Sequence, residues 1–218
     1  MGRRVAARAL MLAMAGTLSA CVSGLRSDAP PVQAYVLRAA PGEQHSPSAA
    51  GPRASLKVLY PTAAPGLDTE RIVLIQSNRR LSYYAASRWA AALPTLVEQL
   101  AVDTLRRTGA WSAVEGSGGV WPADYFLQLD IRRFEADYSS GSGPPVVHVV
   151  LDCTLGRRAG EQELVASFIT ERTEAAAQNR LGAVVAAFER AADGALGEAA
   201  ERAQAKVSSN AQAPSPRD

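Results

Sequence analysis

The chain has 218 residues, 47% of them hydrophobic and 20% charged, and a formal net charge of +2. That is enough apolar material for the core of a single domain, and no basic stripe interleaved with aromatics is present, so nucleic-acid binding has no support. With only two cysteines and two histidines, and no CxxC or HxxxH spacing, the chain is short of the nitrogen and thiolate ligands a metal site of that kind needs.

In chain order, Arg3, Arg4 and Arg8 form a positive segment ahead of an apolar run, Ala9 to Leu18. About ten residues are too few to span a bilayer as a helix, so residues 1–20 read as a signal peptide. The run ends at Leu18-Ser19-Ala20-Cys21, which resembles the lipobox of bacterial lipoproteins. The resemblance implies that Cys21 becomes the mature N-terminus, carrying a thioether-linked diacylglycerol and an amide-linked acyl chain and needing no other cofactor. Three chains at about 0.8 kcal/mol per buried CH₂ far exceed a single myristoyl group. Removing Arg3, Arg4 and Arg8 from the 23 basic residues leaves 20 against 21 acidic ones, so the mature chain is nearly neutral. With Cys21 acylated, Cys153 has no disulfide partner.

Residues 21–32 read as anchor and tether, polar and broken by Pro30-Pro31, reaching at most roughly 35–40 Å when fully extended. Residues 33–205 read as one domain, and 206–218, with Ser208-Ser209-Asn210 and Pro214-Ser215-Pro216, as a disordered tail. Within the domain, Ala34 to Arg38 and the alternating Ser55 to Tyr60 predict two strands, with loops at Pro41 to Arg53 and Pro61 to Thr69. Arg71 to Gln76 and Leu81 to Tyr84 flank Ser77-Asn78 as a hairpin. Pro94 then suits the first turn of a helix, whose apolar face is Leu93, Leu96, Val97, Leu100, Ala101 and Leu105 and whose stop is Gly109. Trp111 to Glu115 predicts an edge strand. Asp124 to Arg132, Val147 to Leu155 and Leu164 to Thr170 predict a meander, with a bulge or strand end where Phe134 breaks the phase. A last helix is predicted over Gln178 to Ala205, in which Gly182, Gly194 and Gly197 weaken the helix or mark close packing. The sum is an α+β fold: a largely antiparallel sheet of six to seven strands with both helices on one face.

Catalytic constellations are hard to find. Gly116-Ser117-Gly118-Gly119 lacks the Lys-Ser/Thr ending of a phosphate loop and reads as a turn. His45 lies in a loop and His148 on the outward phase of a strand. Cys153 falls on the apolar phase, where a thiol behaves as a small hydrophobe. Glu135 and Asp137 share a face at a strand end, as solvated carboxylates commonly do. The chain is therefore read as a non-enzyme. The segment around the hairpin offers a binding surface instead. Arg79, Arg80 and Arg88 lie beside Tyr83 and Trp89; arginines and aromatics dominate interface hot spots, and arginines also suit lipid phosphates. Trp89 has two readings, a core anchor under the hairpin or, with Tyr83 or Tyr84, part of an exposed aromatic patch for a partner. The arginines have a further one, a solvated loop.

Several motifs in this order resemble the ABC-type transport auxiliary lipoproteins, the family that includes the paraquat-inducible protein C lipoprotein. They are Tyr35-Val36-Leu37, Asn78-Arg79-Arg80-Leu81-Ser82-Tyr83, Arg88-Trp89-Ala90 with Leu93, Ala123-Asp124-Tyr125-Phe126-Leu127, and Phe134-Glu135. The resemblance spans roughly Gln33 to Ala205. It implies a non-catalytic accessory subunit that works with a permease, an ATPase and an MCE-domain protein to move lipids between membranes. It places the domain in the periplasm, in contact with the MCE-domain protein, and is compatible with a homo-oligomer. Val22, where enterobacterial inner-membrane lipoproteins carry Asp, implies the outer membrane. The alternative is an envelope lipoprotein that regulates or assembles another envelope complex.

Overall fold

The computed structural model describes residues 31–39, 54–141, 143–159 and 161–212. The chain divides into Met1–Pro31 and Val32–Asp218, and every element below belongs to the second unit. The signal segment, Cys21, the tether as far as Pro30, and His45 lie outside the described residues.

The elements run β1 (Gln33–Tyr35), β2 (Ser55–Val58), β3 (Thr62–Ala63), β4 (Val73–Ile75), β5 (Leu81–Tyr83), β6 (Ser87–Trp89), α1 (Leu93–Arg107), β7 (Ala113–Glu115), β8 (Tyr125–Asp137), β9 (Val146–Ala159), β10 (Glu161–Ala175) and α2 (Leu181–Gln212). The sheet is built on the two edges of β8. On one edge β9 and then β10 follow antiparallel, the expected meander. On the other edge β2, β3 and β4 dock in series, all parallel to β8, pairing Leu56 with Tyr125, Thr62 with Asp130 and Leu74 with Ala136. Strand β7 pairs with the far side of β2, and β5 closes the hairpin on β4. Strands β1 and β6 form a separate parallel pair. The α+β class stands, but the eight-stranded sheet is mixed rather than largely antiparallel. Alternation reports which side of a strand faces the core, not the direction of its neighbour, so sequence periodicity could not distinguish the two.

Tyr125, Leu127, Leu129 and Ile131 point into the core, and a register shift between Ile131 and Arg133 then brings Phe134 and Ala136 to the same side. The phase break at Phe134 is thus a bulge inside one long strand. Val147, Val149, Leu151, Cys153 and Leu155 of β9 extend the same apolar layer. Helix α2 lies along β9 and β10 and against α1, which covers β2 and β7. At the centre Trp89 meets Phe134 and Phe188 edge-on, with ring centroids 6.1 and 5.3 Å away, and Phe134 stacks on Phe188 at 5.0 Å. Such ring pairs contribute about 0.5–1.5 kcal/mol each beyond the area they bury.

Helix α1 starts at Leu93-Pro94 as expected; Thr108 caps it, its hydroxyl donating to the Leu105 carbonyl at 2.7 Å, and Gly109 follows at φ +62°. The Arg106 guanidinium donates twice to the Val114 carbonyl, at 3.0 and 2.9 Å, tying the helix to β7. Helix α2 runs seven residues beyond the expected stop at Ala205. The reading of a disordered tail from Lys206 is corrected as far as Gln212: Ala203 and Val207 continue the buried stripe, so the Ser-rich composition is overruled by packing. Of the three α2 glycines, Gly194 is the one in close contact. A Cβ there would lie 3.1–3.3 Å from the Arg172 side chain, whereas Gly182 and Gly197 face open space.

Strand β10 carries three backbone carbonyls that receive arginine side chains. Arg202 donates to Ile169 at 3.1 Å, Arg172 to Glu171 at 2.8 Å and Arg190 to Ala175 at 3.3 Å. Glu198 pairs with both Arg172 and Arg202, and Glu174 with Arg190, which holds the three in place.

Candidate functional site

The surface features worth considering gather at the two ends of the sheet. Thirteen residues of β8 separate these ends, about 40 Å at 3.2–3.4 Å per residue.

One end is the β4–β5 hairpin. Its turn closes through the Arg79 N–H on the Gln76 carbonyl at 2.8 Å and the Gln76 N–H on the Arg80 carbonyl at 2.9 Å. The Asn78 side-chain carbonyl accepts the Arg80 N–H at 3.1 Å. Arg79 takes φ +62°, a left-handed conformation unusual for a residue with a Cβ. Arg79 and Arg80 are exposed at the tip, and Leu81 beside them is 42% exposed. Tyr83 is half-buried beneath the Arg71 guanidinium, 3.4 Å from its ring centroid. Arg88 is exposed and paired with Glu70.

Trp89 does not join this surface. At 1% exposure it is the core anchor, and its place in an exposed aromatic patch is corrected. The reason is the alternation of β6: Ser87 and Trp89 face in, Arg88 faces out. The structure therefore brings Arg79 and Arg80 together, leaves Tyr83 and Arg88 on the flank, and removes Trp89. Tyr84 is also engaged inward. Its hydroxyl meets that of Tyr138 at 2.9 Å, and Tyr138 donates to Asn179 at 2.8 Å. Burial, and then the Tyr138 hydroxyl, push the Tyr84 phenol well above its ordinary range. The chain joins the domain at this same end, where the Gln33 N–H donates to the Ala86 carbonyl at 2.9 Å.

The other end carries the loop between β7 and β8. Its glycine-rich turn is no phosphate cradle: the Glu98 carboxylate already accepts the Ser117 N–H, and a Cβ at Gly116 would sit 2.7 Å from Glu98 Oε1. Lys57 Nζ donates to the Gly119 carbonyl at 2.9 Å. Val120 and Trp121 follow, 84% and 70% exposed. Sequence reading passed over this pair; an apolar dipeptide between a Gly-rich turn and Pro122 was the signal available.

Between the ends the chemistry is quiet. Cys153 is fully buried, and desolvation pushes its thiol up to about 12 against the pull of the Thr170 hydroxyl, as expected of a core residue. His148 lies on the outward phase but is half-buried, its Nε2 3.9 Å from Asp137. Burial raises the Asp137 carboxyl, but the Ser139 N–H and hydroxyl, His148 and Arg133 outweigh it and hold the group below the usual carboxylate range. Glu135 is bound by Arg133 at 2.7 Å. An acid held ionised and a carboxylate already paired make no general acid. Among the described residues no group of His, Cys, Asp or Glu is placed to hold a metal ion, and no helix is long and apolar enough to cross a membrane. A groove of about 510 Å³ beside α2 combines the charged Arg38, Glu189, Arg190 and Asp193 with Ala39 and Ala186, and most of its lining surface is apolar.

Comparison with known proteins decides the family. The profile described as "ABC-type transport auxiliary lipoprotein component" matches residues 35–200. The chain belongs to this family. The auxiliary lipoprotein also superposes on a crystal structure of the DUF330 protein XCC0632 from Xanthomonas campestris, with a TM-score of 0.71 and 26% identity, covering 84% of this chain and 100% of that one. A second, uncharacterised crystal structure shares the fold at a TM-score of 0.61 and 15% identity, over 81% of this chain and 99% of the other. In sequence, the auxiliary lipoprotein is 30% identical over 145 residues to the uncharacterised protein bll6063 of Bradyrhizobium diazoefficiens, covering 66% of this chain but only 38% of that relative's length. The family description points to an auxiliary rather than a catalytic part in transport.

Proposed function

We propose that this auxiliary lipoprotein is a non-catalytic, lipid-anchored periplasmic subunit of an ABC/MCE-type system that moves lipid between membranes. The observation that carries the reading is the family match across residues 35–200, whose description is that of an ABC-type transport auxiliary lipoprotein component. The Leu18-Ser19-Ala20-Cys21 motif supports acylation of Cys21, and Val22 supports the outer membrane as destination. The paired, ionised or buried state of the candidate catalytic groups fits a docking part better than an enzyme.

The test is detergent extraction of the tagged full chain at native expression, followed by identification of what co-purifies and mass spectrometry of the mature N-terminus. Recovery of an MCE-domain protein with its permease and ATPase, and of a triacylated Cys21, is the expected result. Co-purification with an unrelated envelope complex, or an unmodified N-terminus, would overturn it.

A further inference from the structure

The domain has a polarity that follows from its topology. The chain joins at the hairpin end, where Gln33 meets Ala86 beside β6, and Tyr84 in the preceding turn bonds Tyr138 just past the end of β8. The Val120–Trp121 loop stands at the opposite end, next to Tyr125, about 40 Å along β8. Residues 22–32 extend at most roughly 35–40 Å, so standing the domain on its Trp121 end would need a fully stretched tether. The hairpin end needs no such stretch.

That near end also carries two exposed arginines at its tip. Arg79 and Arg80 project from the turn with no carboxylate within ion-pair distance among the described residues, unlike Arg88 and Arg157, which each have one, and Arg133, which has two. The backbone holds both at the tip: the Asn78 side chain fixes the Arg80 amide, and Arg79 sits in the left-handed region. The Arg71 guanidinium lies over the Tyr83 ring, and Leu81 offers an exposed apolar side chain beside the arginines.

We propose that the β4–β5 hairpin is a membrane-contact surface in which Arg79 and Arg80 bind the phosphates of anionic phospholipids. The contact holds the domain upright on the membrane that carries its acyl anchor, with the Val120–Trp121 end turned away. This inference rests on the acylation of Cys21. An arginine near an anionic surface contributes roughly a fivefold gain in association, and the tether multiplies it by keeping the hairpin at high local concentration. Screening by salt follows directly.

The experiment is hydrogen–deuterium exchange on the acylated full chain in two kinds of vesicle, phosphatidylcholine alone and phosphatidylcholine mixed with phosphatidylglycerol. Amides of residues 77–81 are expected to exchange about fivefold or more slowly in the anionic vesicles. The slowing should disappear in high salt and in the double variant Arg79→Glu/Arg80→Glu, while residues 118–123 exchange alike in both. Equal exchange of the hairpin in the two vesicles overturns the proposal, and so does protection of the Trp121 loop in its place. Protection that is indifferent to salt and to lipid charge overturns the phosphate contact. The double variant alters exposed turn residues, and an unchanged melting temperature verifies its fold. If Cys21 proves unmodified, the anchor reading fails by itself. Flotation of the full chain with phosphatidylglycerol vesicles at low salt then judges the hairpin alone: flotation lost in the double variant supports it, and absence of flotation in the parent overturns it.

Discussion

Trp89 and Arg88 are adjacent in sequence and opposite in role, and the division comes from a single strand alternation. Trp89→Ala would remove a ring packed edge-on against both Phe134 and Phe188, and a loss of about 3–5 kcal/mol in chemical denaturation is expected. Exposed Arg79→Ala should change stability by no more than about 0.5 kcal/mol in the same measurement. Cys153 gives a pH prediction whose sign is fixed. Burial pushes its folded thiol up to about 12, well above the ordinary thiol range, so the folded state holds its proton longer than the unfolded state does. The stability this contributes is complete below pH 9 and is lost as pH rises towards 12. Denaturation midpoints should therefore fall across that window, less steeply in Cys153→Ala, and native protein should resist iodoacetamide until unfolded. The hydrophobic phase of β9 already marked Cys153 as inert. The burial of Trp89 was not legible in this way, because three residues of alternation do not say which phase faces inward.

At the scale of elements, the meander, the hairpin, the start and stop of α1 and the edge position of β7 were all readable, because each is written in local signals: alternation, a polar turn, Pro94, Gly109. The parallel docking of β2, β3 and β4 along one edge of β8 was not, because it depends on pairings between segments far apart in the chain. One such junction is the start of β2 and β8. The Asp124 carboxylate accepts the Ser55 N–H and hydroxyl, both at 2.8 Å, and the Ser55 hydroxyl accepts the Asp124 N–H at 3.0 Å. These bonds, the backbone one first, hold the Asp124 carboxyl below its usual range. The linked stability is present above an unfolded pKa near 3.9 and is lost as pH falls through the lower folded value, so Asp124→Ala should flatten the acid limb of a stability–pH curve. A second junction is Gly156, opposite Phe126 in the ladder. A Cβ there would come within 2.0 Å of the Phe126 ring, so Gly156→Val should lower the melting temperature far more than the same change at Gly182, which faces open space. The end of α2 gives a third prediction. Truncation after Ala205 removes the fully buried Val207, and a loss of about 1.5–3 kcal/mol is expected in urea denaturation.

For the molecule as a whole, family and fold agree while the partner surface remains the least readable part. Order along the chain carried the family motifs; the separation of the Arg79–Arg80 tip from Val120–Trp121 arises only once β8 is laid out as a rod between them. The arginines on β10 add a constraint on assembly. Arg202, Arg172 and Arg190 occupy the carbonyls of Ile169, Glu171 and Ala175, which an incoming strand would otherwise capture. These contacts blunt the 169–175 half of β10 against β-augmentation by an incoming strand. Replacing the three guanidinium groups with alanine should unmask that ladder, and light scattering would record the resulting growth of strand-to-strand polymers.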